Sequence, residues 1–227
     1  VTSALYLMIA LGLVMVYSVG RVEDLAVGAY MMIAAYVFWI TAEGGPYLSL
    51  PKIVALLIAI SVGAAVSIAT YKGIIKRIIE NPTAVFISTM VFSLIVENAL
   101  AGIFGEAPRS VLPFVYGSVT IGAITITLNV VVILAIAWAV TVLLILFINK
   151  TYIGRAIRAV SINPRGAIIV GIDPEKVRIL TWGLCGILSA IAGICLATHT
   201  SISPVMWVLP LILAFIIVMV GGLGSIG

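Results

Sequence analysis

Residues 149–178 read NKTYIGRAIRAVSINPRGAIIVGIDPEKVR, and this stretch decides how the rest of the chain is understood. It is too long for a simple link between two helices, which usually takes 2–8 residues. Only 9% of the chain is charged, yet eight of its 20 charged residues fall here: Lys150, Arg155, Arg158, Arg165, Asp173, Glu175, Lys176 and Arg178. Within the stretch, Pro164 suits the first position of a helix. Asn163 before it is a natural N-cap, and Gly171 suits the C-terminal cap. The helix between them is about two turns long and apolar, with Ala167, Ile168, Ile169 and Val170. Such a helix in a polar connection must bury its apolar face. It can do so on this chain's own helix ends, or in a groove on a partner.

On both sides of this stretch the chain is a string of apolar runs. It has 227 residues, 63% of them hydrophobic, and a mean hydropathy of +1.34. An average soluble domain is about 25% charged. A soluble domain of this length could not cover its surface with so few charges. Disorder is excluded as well, because it needs low hydrophobicity and high charge. The uncharged or nearly uncharged runs are Thr2–Val19, Leu25–Ala42, Ile53–Tyr71, Thr83–Phe104, Leu128–Ile148, Ile179–Thr198 and Val205–Val220. A membrane span needs about 20 apolar residues. The expected fold is therefore all-α: a polytopic transmembrane helix bundle of about seven spans, forming one domain over residues 1–227. Before the fifth run, Ser118–Thr127 is rich in Thr and β-branched residues around Gly122, which predicts a short hairpin outside the membrane. Turn residues Glu43–Pro46 separate the second and third runs.

The charges also set the topology. The first, third and fifth connections carry Arg21; then Lys72, Lys76 and Arg77; then Lys150, Arg155, Arg158, Arg165, Lys176 and Arg178. These are ten of the 12 basic residues. Basic residues accumulate on the cytoplasmic side, so the odd connections are cytoplasmic and the first span begins outside. The sixth run contains Gly183, Gly186, Ser189, Ala190, Ala192 and Gly193, small residues that let membrane helices approach closely.

Residues able to carry chemistry are few. No phosphate-cradling Gly-x-x-x-x-Gly-Lys-Ser/Thr loop is present. The single histidine, His199, falls near an outer loop, and Cys185 and Cys195 read as buried thiols. No metal-ligand spacing is present. The net charge of +4 is what cytoplasmic loops need and gives no ground for nucleic-acid binding. Glu97 lies seven residues from the outer end of its run, about 10 Å deep at 1.5 Å per residue. Ionisable groups at such depth face a cavity or a partner. Glu97 and Asn98 are therefore candidates to line a translocation pathway and meet a ligand's ammonium group. An interhelical hydrogen bond or a snorkelling acid is the alternative for Glu97. Asp24, Gly28 and Tyr30 stand where the second span begins, either as a broken-helix site or with Asp24 capping that helix.

The connection 149–178 resembles the coupling segment of permease subunits of branched-chain amino acid ABC importers, the Liv-type family. That family's pattern is approximately Thr-x-x-Gly-x-Ala-x-Arg-Ala, then Asn-x-x-x-Ala, then Gly-Ile. Here it falls on Thr151, Gly154, Ala156, Arg158, Ala159, Asn163, Ala167, Gly171 and Ile172. A first cytoplasmic motif similar to the family's covers Asp24–Met31 and Ala34–Tyr36, and Gly221–Gly227 is similar to its Gly-Gly-x-Gly-Ser-x-x-Gly element. Asp24 departs from the usual Asn, and Asp24–Gly28 also resembles the related ribose-type sugar permeases.

The resemblance implies an ATP-driven importer and a division of labour. This chain would be a non-enzymatic membrane subunit with no cofactor of its own. Two cytoplasmic ABC ATPase subunits would use the ATP and bind the segment through Gly154, Arg155, Arg158, Ala159, Asn163, Pro164, Arg165, Ala167 and Gly171. The arginines are equally suited to anionic headgroups of the lipid bilayer. A second permease subunit, identical or not, would complete the pathway, and an extracytoplasmic substrate-binding protein would deliver the ligand. The location would be the prokaryotic plasma (inner) membrane. The ligand would be a branched-chain or other hydrophobic amino acid, with sugars, urea or short amides as the alternative. An ion-coupled secondary transporter is a further alternative, which would want more polar residues at the midplane than Glu97. The chain is expected to continue past both ends, because no initiator Met precedes Val1 and the family usually adds a further span after the Gly-rich element.

Overall fold

The computed structural model describes residues 1–42, 50–121 and 124–221. Each apolar run forms a helix, in part because a run with no side-chain partners for its backbone must satisfy that backbone internally. The elements are α1 (Thr2–Gly20), α2 (Val27–Ala42), α3 (Lys52–Thr70), a π-turn (Tyr71–Ile75), α4 (Lys76–Ile78), α5 (Pro82–Phe104), β1 (Ser118–Ile121), β2 (Ile124–Thr127), α6 (Leu128–Lys150), α7 (Tyr152–Ile162), α8 (Pro164–Ile169), α9 (Pro174–His199) and α10 (Val208–Gly221). The expected hairpin is present, with β1 and β2 antiparallel and Ser118 opposite Thr127. Gly122 at its tip, the turn Glu43–Pro46 and Gly222–Gly227 of the Gly-rich element lie outside the described residues.

Five helices are long and apolar enough to cross a membrane, and α2 and α10 are shorter apolar helices. Among the described residues α2 spans 16 residues and α10 spans 14, each up to the last described residue of its stretch. Both begin beside buried side chains. The backbone of Leu25, just before α2, is held between Thr89 and Ser93 of α5. Gly28 at the start of α2 lies against Trp207, just before α10.

The two ends of the bundle agree with the charge count. At one end the Arg21 guanidinium donates to the Ser161 carbonyl at 3.0 Å, and Lys76 pairs with Glu175. These contacts gather the first, third and fifth connections. At the other end Arg109 and Ile202 exchange two backbone hydrogen bonds of 2.9 Å. There Lys52 Nζ donates to the Pro113 carbonyl at 2.7 Å. Asn129 accepts from Phe114 N and donates to the Thr198 carbonyl.

Helix α9 is the most buried of the long helices and α5 the least. The small residues of α9 explain its position. A Cβ on Gly186 would lie 2.7 Å from the Gly63 carbonyl oxygen of α3, and one on Gly193 would lie 2.5 Å from the Met31 carbonyl oxygen of α2. Both are backbone contacts that cannot yield. Cys185 and Cys195 are buried on the same helix. Gly186→Leu is expected to destabilise the bundle by about 1–3 kcal/mol through overpacking. Thermal unfolding in detergent measures this, and an unchanged melting temperature would show that α3 and α9 do not pack so closely.

Candidate functional site

Residues 149–178 fold as two short helices, α7 and α8, between α6 and α9. Thr151 starts α7: its Oγ1 accepts from Gly154 N at 3.0 Å and donates to the Phe147 carbonyl at 2.6 Å. Gly154 is required by close approach, because a Cβ there would lie 2.3 Å from the Ile148 carbonyl oxygen. Helix α7 buries Gly154, Ala156, Ile157 and Val160. This is the spacing of three and four residues that makes one helix face. It was legible in the sequence, where only α8 was anticipated. Arg158 is half-buried and donates to the Ile148 carbonyl at 3.3 Å, while Arg155 is exposed. Half-buried Ala159 accepts from Asn163 N.

Helix α8 has both expected caps. Asn163 Oδ1 accepts from Gly166 N at 3.0 Å, and Pro164 occupies the first turn. Gly171 has φ +81°, the left-handed conformation that favours glycine. Gly171 N donates to Ile168 O, and Ile172 N to Ala167 O. One expectation changes here. Ala167 does not share the outward face: it is buried, whereas Ile168, Ile169 and Val170 are 60%, 85% and 72% exposed. A helix of six residues has room for only one inward position, and the smallest side chain takes it. Ile162 at the end of α7 and Arg165 are exposed beside this tip.

The two acids at membrane depth each hold an indole, and they do not meet in one site. Asp24 is fully buried. Its Oδ1 accepts from Ala26 N at 2.9 Å. Its Oδ2 accepts from the Tyr30 hydroxyl at 3.1 Å and from Trp182 Nε1 at 2.9 Å. Asp24 thus caps the turn into α2 and also ties that turn to α9. The Trp182 ring lies 4.6 Å from the Tyr71 ring, which the π-turn presents to it. Glu97, half-buried, accepts from Trp207 Nε1 at 2.8 Å. The Trp207 ring lies so close over Gly28 that a Cβ there would come within 2.4 Å of it. Asn98 is exposed, and its amide nitrogen donates to the Leu94 carbonyl of its own helix.

Thr89, Ser93, Trp182 and Trp207 complete these networks and were not singled out from the sequence. Thr89, Ser93 and Glu97 repeat every four residues, a polar stripe on one face of an apolar helix. A buried indole N–H also needs an acceptor. Those two signals mark a polar face on α5 and indoles in need of acceptors, without saying which acid meets which indole. Among the described residues no group of three or more His, Cys, Asp or Glu could hold a metal ion.

Seven apolar helices, one basic end and irregular turns held among the helices fit a multi-pass membrane protein. The family model for the permease component of branched-chain amino acid transport systems matches residues 1–227. The chain belongs to that family. Among similar proteins, the probable branched-chain amino acid transport permease LivH of Methanocaldococcus jannaschii is 33% identical over 99% of this chain and 72% of its own length. The high-affinity branched-chain amino acid permease BraD of Pseudomonas aeruginosa is 25% identical over 97% of this chain and 76% of its own. The fructose import permease FruF of Bifidobacterium longum is 29% identical over 85% of this chain and 52% of its own. No solved structure matches at a significant level. The chain is accordingly a transport subunit of an ABC importer, multi-pass in the inner membrane, and not an enzyme.

Proposed function

We propose that this chain carries branched-chain amino acids across the inner membrane, driven by two ATPase subunits, one of which docks on α8, and supplied by an extracytoplasmic binding protein. ATP is used on those partners, and this chain needs no cofactor of its own. The observation that carries the coupling half is the exposed tip Ile168–Val170 on a doubly capped helix at the basic end of the bundle. Apolar side chains presented on a rigid helix suit insertion into a groove. Gly154, Ala159 and Ala167 pack the segment onto the membrane helices, so a push on the tip is passed to α6 and α9. Asn163, Pro164 and Gly171 keep the tip rigid, and Arg155, Arg158 and Arg165 supply charge around it. The ligand half rests on the names of LivH and BraD. A second permease subunit completes the pathway.

Within the membrane, Glu97 and Asn98 line the path, and Glu97 receives the ligand's ammonium group. Asp24, Gly28 and Tyr30 shape the buried turn beside it. Glu97→Gln keeps an acceptor for the Trp207 indole while removing the charge. Hydrogen bonds to a charged partner are worth about 1.5–3 kcal/mol, so leucine uptake in this variant is expected to show KM raised about tenfold or more. Unaltered KM and rate would remove Glu97 from the path. The relative FruF favours a second reading, in which the ligand is a sugar. Uptake of labelled leucine and labelled fructose by the intact system separates the two.

A further inference from the structure

Between α5 and α10 lies a gap of about 270 Å3. Leu25, Phe86, Met90, Leu211 and Phe215 wall it, and the Trp207 indole closes one side. It is a groove open on one side, since Met90, Ile212 and Ile216 on its walls are 43%, 52% and 49% exposed. The size is sufficient for a branched alkyl group, since an apolar cavity of roughly 150 Å3 already holds benzene. The Trp207 ring that walls the gap gives its N–H to Glu97. A carboxylate and an apolar gap are therefore separated by one indole. An aliphatic amino acid needs these two features, an anion for its ammonium group and an apolar space for its side chain. A lipid acyl chain would use the gap and ignore the carboxylate. The two helices are also suited to part: α5 is the least buried of the long helices, and α10 starts only after Trp207.

We propose that the gap between α5 and α10 is the side-chain subsite of the transported ligand and sets its preference for branched aliphatic amino acids. The inference rests on the amino acid reading above. The ligand's ammonium group replaces the indole N–H at Glu97, and its side chain enters the gap as the ring yields. Leu25 forms part of the wall because the turn before α2 is pinned at this depth by Thr89 and Ser93. The same hydrogen bonds that satisfy an irregular backbone inside the membrane therefore shape the subsite.

The test uses the whole transporter in proteoliposomes, with labelled leucine taken up in competition with unlabelled leucine, alanine or phenylalanine. Met90, 43% exposed, tolerates a larger side chain. Met90→Trp fills the gap and is expected to weaken leucine relative to alanine by about tenfold or more, the scale of a methylene or two in an apolar pocket. Phe215→Ala enlarges it and is expected to strengthen phenylalanine as a competitor by about tenfold. Glu97→Gln is expected to weaken leucine and alanine alike, with their ratio unchanged. If wild type takes up leucine and neither Met90→Trp nor Phe215→Ala alters the competition ratios at wild-type membrane levels, the subsite assignment is overturned alone. If wild type takes up no leucine, the substrate reading falls and this proposal with it.

Discussion

Replacing Ile169 with glutamate is expected to abolish uptake while leaving the chain folded in the membrane. Ile169 is 85% exposed at the tip of α8, so its side chain contributes little to the fold of this chain. A charge there changes only what meets the tip. If α8 inserts into an ATPase groove, the carboxylate is buried without a partner. Removing a central anchor of an interface costs about 2 kcal/mol or more, and burying an unpaired charge costs further. Binding should then fall about 30-fold at least. Co-purification of the ATPase subunits and leucine uptake should be lost together, with the permease level unchanged. Ala167 is the informative contrast. It is buried, so Ala167→Arg would disrupt packing of α8 on its own chain and would report on folding. Full uptake and ATPase association in Ile169→Glu would remove α8 as the docking element.

Trp182→Ala is expected to be the most destabilising single substitution in the bundle. Trp182 is fully buried, and its ring touches Tyr71 and the backbone of Gly20. Truncating a buried tryptophan costs about 3–5 kcal/mol. Its N–H is also one of the three donors to Asp24. Trp182→Phe separates the contributions, because it keeps most of the ring volume and removes the donor. A lost hydrogen bond to a buried carboxylate costs about 1–3 kcal/mol. The expected order of melting temperature in detergent is wild type, then Trp182→Phe, then Trp182→Ala. Equal melting of Trp182→Phe and wild type would show that the indole N–H does not hold Asp24. Equal melting of the two variants would show that ring volume is unimportant.

Much of the architecture was legible because a membrane imposes a simple physical test on sequence. An apolar run without charges must satisfy its backbone internally, and a helix does that. The seven runs therefore became seven helices, with ends within a few residues of the polarity changes. The short helix in 149–178 was legible for a different reason. Asn163, Pro164 and Gly171 are local capping signals, and caps depend on neighbours in sequence alone. The polar segment itself is narrower than its composition suggests, since α6 runs on through Lys150 and α9 begins at Pro174.

Pairing was not legible. Nothing in the order of residues says that Asp24 meets Trp182, 158 positions away, or that Glu97 meets Trp207, 110 positions away. Those meetings depend on which helices lie side by side. The same holds for Ala167, whose inward turn follows from where α7 and α9 stand. It holds as well for the start of α2, where Thr89 and Ser93 take up the backbone of Leu25.

The sequence by itself determined the class of protein, the number of apolar runs, which connections share the basic end of the bundle and the capped helix there. These follow from one-dimensional quantities: hydrophobic length, charge asymmetry and local caps. Only the tertiary structure decided which acid holds which indole, which face of α8 is free, and where an apolar gap opens beside a carboxylate. Within a bilayer every helix surface is apolar, so hydrophobicity cannot choose neighbours. Small residues, hydrogen bonds and shape make that choice, and they act only once the helices are together.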